Sequence, residues 1–291
     1  MSVRRYGKIL VYPSRGRLMF VTDFHGQIHD FRRVVTRFTA RLARGEDLYM
    51  LFAGDFVHGP AHGQVHGWLQ RDETPAILDE LEQLFEAHPD RVHALLGNHE
   101  YGHLGGRATQ KFYRGLDDDV QALKRRLGPK RSRSAHALFE TFSLVAMAPC
   151  GMLFSHAAPN LDPRKHPKLL EKIMLARYDR ADPIIMSLVW PRFVAEPEQI
   201  EGFFQAMRFK GIQPRVAAYG HEIAPRGVER SEHRQVVISS SFAIADRYKT
   251  FLEVDLAGRY NSPADLREGV ELIRLYPERA IGRSPPAGML A

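Results

Sequence analysis

Short apolar runs separated by polar, glycine-bearing turns give this chain its pattern. Leu18-Met-Phe-Val21, Leu48-Tyr-Met-Leu-Phe-Ala53, Val92-His-Ala-Leu-Leu96, Met152-Leu-Phe154 and Val216-Ala-Ala-Tyr219 are apolar at nearly every position. A strand covered on both faces reads this way, whereas a strand with one wet face alternates. Phe31 to Arg44 and Ala76 to Ala87 carry helical spacing between the first three runs. The front half therefore reads as repeated β-α-β units of a mostly parallel sheet. Phe139 to Ala148, Gln235 to Ser240 and Thr250 to Leu256 read as further strands, and Glu198 to Lys210 as a helix leading into Val216. These later elements fit a second sheet layer, closed by turns at Ala257-Gly258 and Asn261-Ser-Pro.

The turns that end the apolar runs carry the polar chemistry. In chain order they are Asp23-Phe-His25-Gly26, Gly54-Asp55, Gly97-Asn98-His99-Glu100, Ser155-His156 and Gly220-His221. Carboxylate, imidazole and carboxamide groups are what two neighbouring hard or borderline divalent metals require. Delivery at the carboxyl ends of strands is the site geometry of an open α/β sheet. Each motif alone is weak, because Gly and Asn make turns and a lone His is more often a surface or hydrogen-bonded core residue. Their common order after strand-like runs carries the reading of a metal-dependent phosphoesterase.

Composition narrows the class. With 291 residues and 44% hydrophobic content, the chain can bury a full core in one domain, expected over residues 1–275, with a disordered tail over 276–291. No apolar run reaches about 18 residues, and Met1-Ser-Val-Arg-Arg lacks the apolar segment of a secretory signal. The single cysteine, Cys150, forms no internal disulfide, which suits the cytoplasm, and the net charge of +7 favours anionic partners such as phosphate esters. Lys124 to Arg133 is the densest basic run and reads as a solvated connection; without interleaved aromatic residues it is no platform for single-stranded nucleic acid. Neither membrane nor nucleic acid is an expected partner.

Taken together, the motif series resembles the calcineurin-like metallophosphoesterase superfamily, in its phosphoprotein (serine/threonine) phosphatase branch, as a divergent bacterial-type member. Leu188-Val-Trp190 resembles a Leu-Trp marker of that branch, and Ile238 to Phe242 with Phe251 to Asp255 resembles its closing hairpin. The resemblance covers roughly Arg17 to Leu256 and implies an α/β/β/α sandwich of two mixed sheets flanked by helices. It implies two divalent metal ions, manganese first, with iron or zinc as alternatives. Asp23 and His25 would hold the first metal, Asp55 would bridge both, and Asn98, His156 and His221 would complete the second. Two cations about 3.5–4 Å apart turn one water into hydroxide and hold the phosphoryl oxygens for in-line attack. His99 would be the general acid for the leaving alkoxide, and Glu100 would support its turn.

The chain departs from that branch after Gly54-Asp55. Where the family continues with Asp-Arg-Gly, this sequence has His58-Gly59-Pro60, losing an orienting aspartate and a phosphate-binding arginine. Thr22 stands for a glycine, and Ala157-Ala158 for a glycine pair. Arg192, after Trp190-Pro191, becomes the candidate phosphate clamp, with Arg107 and Arg226 in reserve. His58 is a candidate replacement for the aspartate. Pro60 to Gly67, with His62 and His66, reads as a glycine-rich loop over the site, and His103 with Gly105-Gly106 as a mobile rim. The expected activity is hydrolysis of phosphate monoesters, with phosphoproteins as substrates. The alternatives are dinucleoside polyphosphate hydrolysis and a metal-binding pseudophosphatase that grips phosphorylated ligands without turnover.

Overall fold

In the computed structural model, residues 2–60, 63–65, 68–112, 118–192 and 194–280 are described, with 63–65, 68–70 and 280 described by backbone alone. Among these described residues, fourteen strands form two main sheets and a hairpin. The first sheet contains β1 (Arg4–Tyr6), β2 (Ile9–Val11), β8 (Val145–Met147), β9 (Met152–Ser155), β10 (Val216–Tyr219), β11 (Val228–Ser231) and β12 (Gln235–Ile238). Its order is β1-β2-β8-β9-β10-β12-β11. The second contains β3 (Arg17–Val21), β4 (Leu48–Phe52), β7 (Val92–Ala94), β13 (Thr250–Asp255) and β14 (Leu272–Arg274), in the order β14-β13-β3-β4-β7. The hairpin pairs β5 (Gly63–Val65) with β6 (Trp68–Gln70). Strands β3, β4 and β7 run parallel, as do β9, β10 and β12.

Alternation along the strands explains the two layers. Leu18 and Phe20 of β3, Tyr49 and Leu51 of β4, Met152 and Phe154 of β9, and Val216 and Ala218 of β10 share one buried core between the sheets. The Phe20 and Phe154 rings meet there with centroids 5.0 Å apart. Intervening residues such as Met19, Val21, Met50, Phe52, Leu153 and Ala217 join an outer core with the helices. Each strand is thus apolar on both faces because one face meets the other sheet and the opposite face meets helices.

The helices are α1 (Ile28–Ala43), α2 (Thr74–Ala87), α3 (Asn98–Leu104), α4 (Asp119–Glu140), α5 (Leu169–Met174), α6 (Pro183–Val189), α7 (Pro197–Ala206) and α8 (Pro277–Ala280). Phe31, Val34 and Phe38 bury one stripe of α1, and Ile77, Leu81 and Leu84 one stripe of α2. Together these elements form an α/β/β/α sandwich. Among the described residues no helix is long and apolar enough to cross a membrane.

Four readings change. Phe139 and Glu140 end α4 rather than starting a strand, which begins only at Val145. The basic run of residues 124–133 is mostly exposed, as expected, but it belongs to α4 rather than to a connection, with a kink where Gly128 takes φ 72° ahead of Pro129. There Arg126 pairs with the buried Asp72 at 2.6 Å, and Arg131 meets Asp79 at 2.5 Å. β12 and β13 do not form a closing hairpin: they lie in different sheets and meet where the Thr250 amide donates to the Ser239 carbonyl at 3.0 Å. Gly105 and Gly106, expected in a mobile rim, are closely packed, since a Cβ on either would meet the 178–180 backbone or the Tyr101 ring. His62 and His66 lie outside the described residues, and within the expected loop Gly63–Val65 is a strand. At the end of the chain Pro277–Ala280 is helical, while residues 281–291 lie outside the described residues.

Candidate functional site

The site lies where β3, β4, β7, β9 and β10 end. Asp23 and His25 follow β3, Asp55 follows β4, Asn98 opens α3 after β7, His156 follows β9, and His221 follows β10. Asp23, His25, Asp55, His58 and His221 hold left-handed φ values of 51, 44, 55, 63 and 64°. Such backbone costs of order 1–3 kcal/mol per residue and persists only where surroundings enforce it, commonly at functional sites. Close approach is enforced as well. A Cβ on Gly220 would collide with the Asp23 carboxylate, and one on Gly97 with that of Asp55. The glycines in those motifs let backbone and carboxylate touch.

Second partners orient the imidazoles. His25 directs Nδ1 at the Val57 and His58 carbonyls, both at 3.1 Å. His156 directs Nδ1 at the Ala53 carbonyl at 2.8 Å, and His221 directs Nε2 at the Trp190 carbonyl at 3.2 Å. A nitrogen facing a carbonyl must carry the proton, so the other nitrogen of each neutral ring presents its lone pair. Those lone pairs turn inward. His25 Nε2 lies 3.4 Å and His156 Nε2 3.5 Å from Asp55 Oδ2. His156 Nε2 also lies 3.1 Å from both Asn98 Oδ1 and His221 Nδ1. Acceptors facing acceptors repel unless a cation lies among them, so the donor set fits metal ions. Asp55 belongs to two such clusters, one with His25 and His99 and one with His156 and His221, each spanning no more than 4.8 Å. The carboxylate of Asp23 accepts the His221 amide at 3.0 and 3.1 Å, tying the first turn to the last.

Burial sets the protonation states. It raises Asp23 and Asp55 far above the ordinary carboxylate range; His156 opposes the rise at Asp23, and the His99 amide opposes it at Asp55. Burial also holds His25, His156 and His221 below the usual imidazole value. Glu100, raised by burial and by Asp55, accepts the amides of Asp55 and Phe56 at 2.8 Å and of Val57 at 3.3 Å. It therefore holds the Asp55 turn in place.

His99 sits against His25 with ring centroids 4.7 Å apart. Its Nδ1 lies 2.8 Å from His58 Nδ1, and His58 Nε2 lies 2.8 Å from His103 Nε2. His58 stands where the expected orienting aspartate is missing, and His103 extends the chain. Thr109 Oγ1 lies 3.4 Å from His99 Nδ1 and donates to Asp119 at 2.5 Å.

Asp23, His25, Lys111, Arg192, His221 and Phe242 line the opening above these groups. Arg192 therefore reaches the site, whereas Arg107 lies with its guanidinium 5.7 Å from the Trp190 ring centre and Arg226 is exposed on another loop. Lys111 was missed by sequence reasoning because it belongs to no motif. Among the described residues it is brought in by Asp119, which accepts the Lys111 amide at 2.9 Å and the Phe112 amide at 3.2 Å.

A model of the calcineurin-like phosphoesterases matches residues 16–224. No curated protein matches the sequence. Among solved structures, the chain is similar to a protein serine/threonine phosphatase from Saccharomyces cerevisiae with similarity to human phosphatase PP5: TM-score 0.58, 17% identity, covering 86% of this chain and 78% of that one. It is also similar to the cold-active protein-tyrosine phosphatase of a psychrophilic Shewanella species: TM-score 0.53, 13% identity, covering 87% and 79%. At these identities the likeness is one of fold.

Proposed function

This chain belongs to the calcineurin-like phosphoesterase family, and on that footing we propose that it is a serine/threonine protein phosphatase-like hydrolase of phosphate monoesters. The observation that carries the reading is the set of inward lone pairs around Asp55 Oδ2, which a metal pair would resolve. Asp23 and His25 would hold one ion, Asn98, His156 and His221 the other, and the Asp55 carboxylate would be shared between them. The mixed nitrogen and oxygen set suits manganese, iron or zinc, and manganese is our first choice. Two divalent ions supply activation of the attacking water and neutralisation of phosphoryl charge.

The chain's own residues do the rest. His99 keeps its proton on Nε2, towards the leaving oxygen, when its Nδ1 accepts from His58 Nδ1–H at 2.8 Å. His58 can donate there because its other nitrogen accepts from His103 Nε2–H at 2.8 Å. A carboxylate in place of His58 could only accept and would hold the proton on Nδ1, whereas this neutral chain leaves it on Nε2. Arg192 offers a planar fork to two phosphoryl oxygens. Both similar structures are of protein phosphatases, which supports phosphoproteins as substrates. The buried, unpaired Cys150 suits the cytoplasm as compartment.

Reconstitution with manganese, elemental analysis and turnover test the reading. We expect two ions per chain, hydrolysis of 4-nitrophenyl phosphate, and preference for phosphoserine and phosphothreonine peptides over phosphotyrosine peptides. Hydrolysis of dinucleoside tetraphosphate with no phosphopeptide turnover would replace this substrate assignment, and failure to bind metal would overturn it.

A further inference from the structure

The phosphate clamp needs fixed positive donors, because in-line transfer concentrates charge on the non-bridging oxygens. Of the foreseen arginines, Arg192 lines the opening, and Arg107 and Arg226 do not. Sequence motifs leave the position after Val57 without its arginine, since Gly59 and Pro60 carry no charge. The structure supplies another cation from a distant part of the chain.

Lys111 is an exposed residue at the mouth of the site, with its ammonium turned in beside Asp23, His25, Arg192 and His221, where partial desolvation lowers its pKa. Its ammonium lies 4.8 Å from the centre of the Phe242 ring and 4.9 Å from that of Phe112. Both rings also contact His25, at 4.4 and 5.7 Å between centroids. The Phe242 amide donates to the Asp23 carbonyl at 3.0 Å, so the cradle is anchored to the first turn of the site. Asp119, fully buried at the start of α4, clasps the loop below by accepting from Thr109 Oγ1 and from the Lys111 and Phe112 amides. The Asp119 amide returns a bond to the Thr109 carbonyl at 2.9 Å. Among the described residues the Lys111 ammonium meets no carboxylate at ion-pair distance. Aromatic faces orient it, and they leave its N–H donors free for an anion.

We propose that Lys111 binds a phosphoryl oxygen of the substrate, acting with Arg192 as the second arm of the clamp. The inference rests on the phosphatase reading of the same site. An ammonium held on aromatic rings serves as a point-charge partner, while the guanidinium gives direction. The cation missing after Val57 is thus replaced in space rather than in sequence.

Calorimetric titration of manganese-loaded protein with inorganic phosphate tests Lys111 apart from turnover. Lys111→Ala should weaken phosphate binding about ten- to a hundred-fold, the worth of one charge-assisted hydrogen bond, with metal content and melting temperature unchanged. Lys111→Arg should recover most of that loss, and Lys111→Met should not. Wild-type phosphate affinity in Lys111→Ala, or equal loss in Lys111→Arg and Lys111→Met, would overturn the assignment. So would absence of phosphate binding by the loaded wild type. Turnover of phosphopeptides by the wild type reports on the phosphatase reading separately: if it fails while phosphate affinity still depends on Lys111, the anion site stands without that activity.

Discussion

At the residue scale, the acid role proposed for His99 depends on which ring nitrogen holds the proton. His99→Ala should leave metal content intact and lower turnover of alkyl phosphates by about 10²–10⁴-fold, the usual worth of general acid catalysis. Loss with nitrophenyl phosphate should be much smaller, because that leaving group needs little protonation. His58→Ala should give the same leaving-group dependence in weaker form, since it only positions His99; equal losses on both substrates would contradict the chain of three histidines. The sequence made the motif residues legible because their order after apolar runs is itself a structural statement. His103 was legible only as part of a rim, and Lys111 not at all. Their positions are set by α3 and by the Asp119 clasp, which no local pattern announces. The left-handed φ values of Asp23 and Asp55 were equally silent, because neither residue type demands them.

At the element scale, the strands were readable because burial on both faces leaves an unbroken apolar run. Misreadings arose where one signal fits two outcomes. Phe139 and Phe142 are buried like strand residues, yet the first ends a helix and the second lies in the turn that follows. Gly128-Pro129 looks like a break, yet proline is pre-organised for the first turn of a new helical segment, so α4 resumes at once. What locks the last elements onto α1 is a buried network that sequence could not foretell. Asp30 accepts from Ser241 at 2.5 Å, Lys249 at 2.7 Å and Tyr276 at 2.6 Å. Lys249→Met would strand that carboxylate without its counter-charge, and removing one partner of a buried ion pair costs about 3–5 kcal/mol. Urea unfolding should show the loss as a lower midpoint with an unchanged slope. Tyr276→Phe, which removes one hydrogen bond, should cost about 1–2 kcal/mol; a neutral result for both would remove the network from the stability account.

At the scale of the whole molecule, the site is a source of instability that metal binding reverses. Asp23, Asp55 and Glu100 are raised by burial to about 7, so metal-free protein loses stability as pH climbs from the ordinary carboxylate value through 7. His25, His156 and His221 are lowered by burial, so their contribution is present above the ordinary imidazole value and is lost as pH falls below it. Metal requires the ionised carboxylates and the neutral imidazoles together, and its binding therefore releases protons below neutrality. Manganese at a hundred times its dissociation constant adds about 2.7 kcal/mol, a rise of several degrees in melting temperature. That rise should be full at pH 8 and shrink steeply by pH 5.5. Asp55→Asn separates site from scaffold, because the amide oxygen can still accept the His99 amide while the buried charge is gone. At pH 8 the metal-free variant should melt above the metal-free wild type and gain little from manganese. A metal-free variant that melts lower would mean that Asp55 is not a costly buried charge, and one that manganese still stabilises fully would mean that it is not the group shared by two ions.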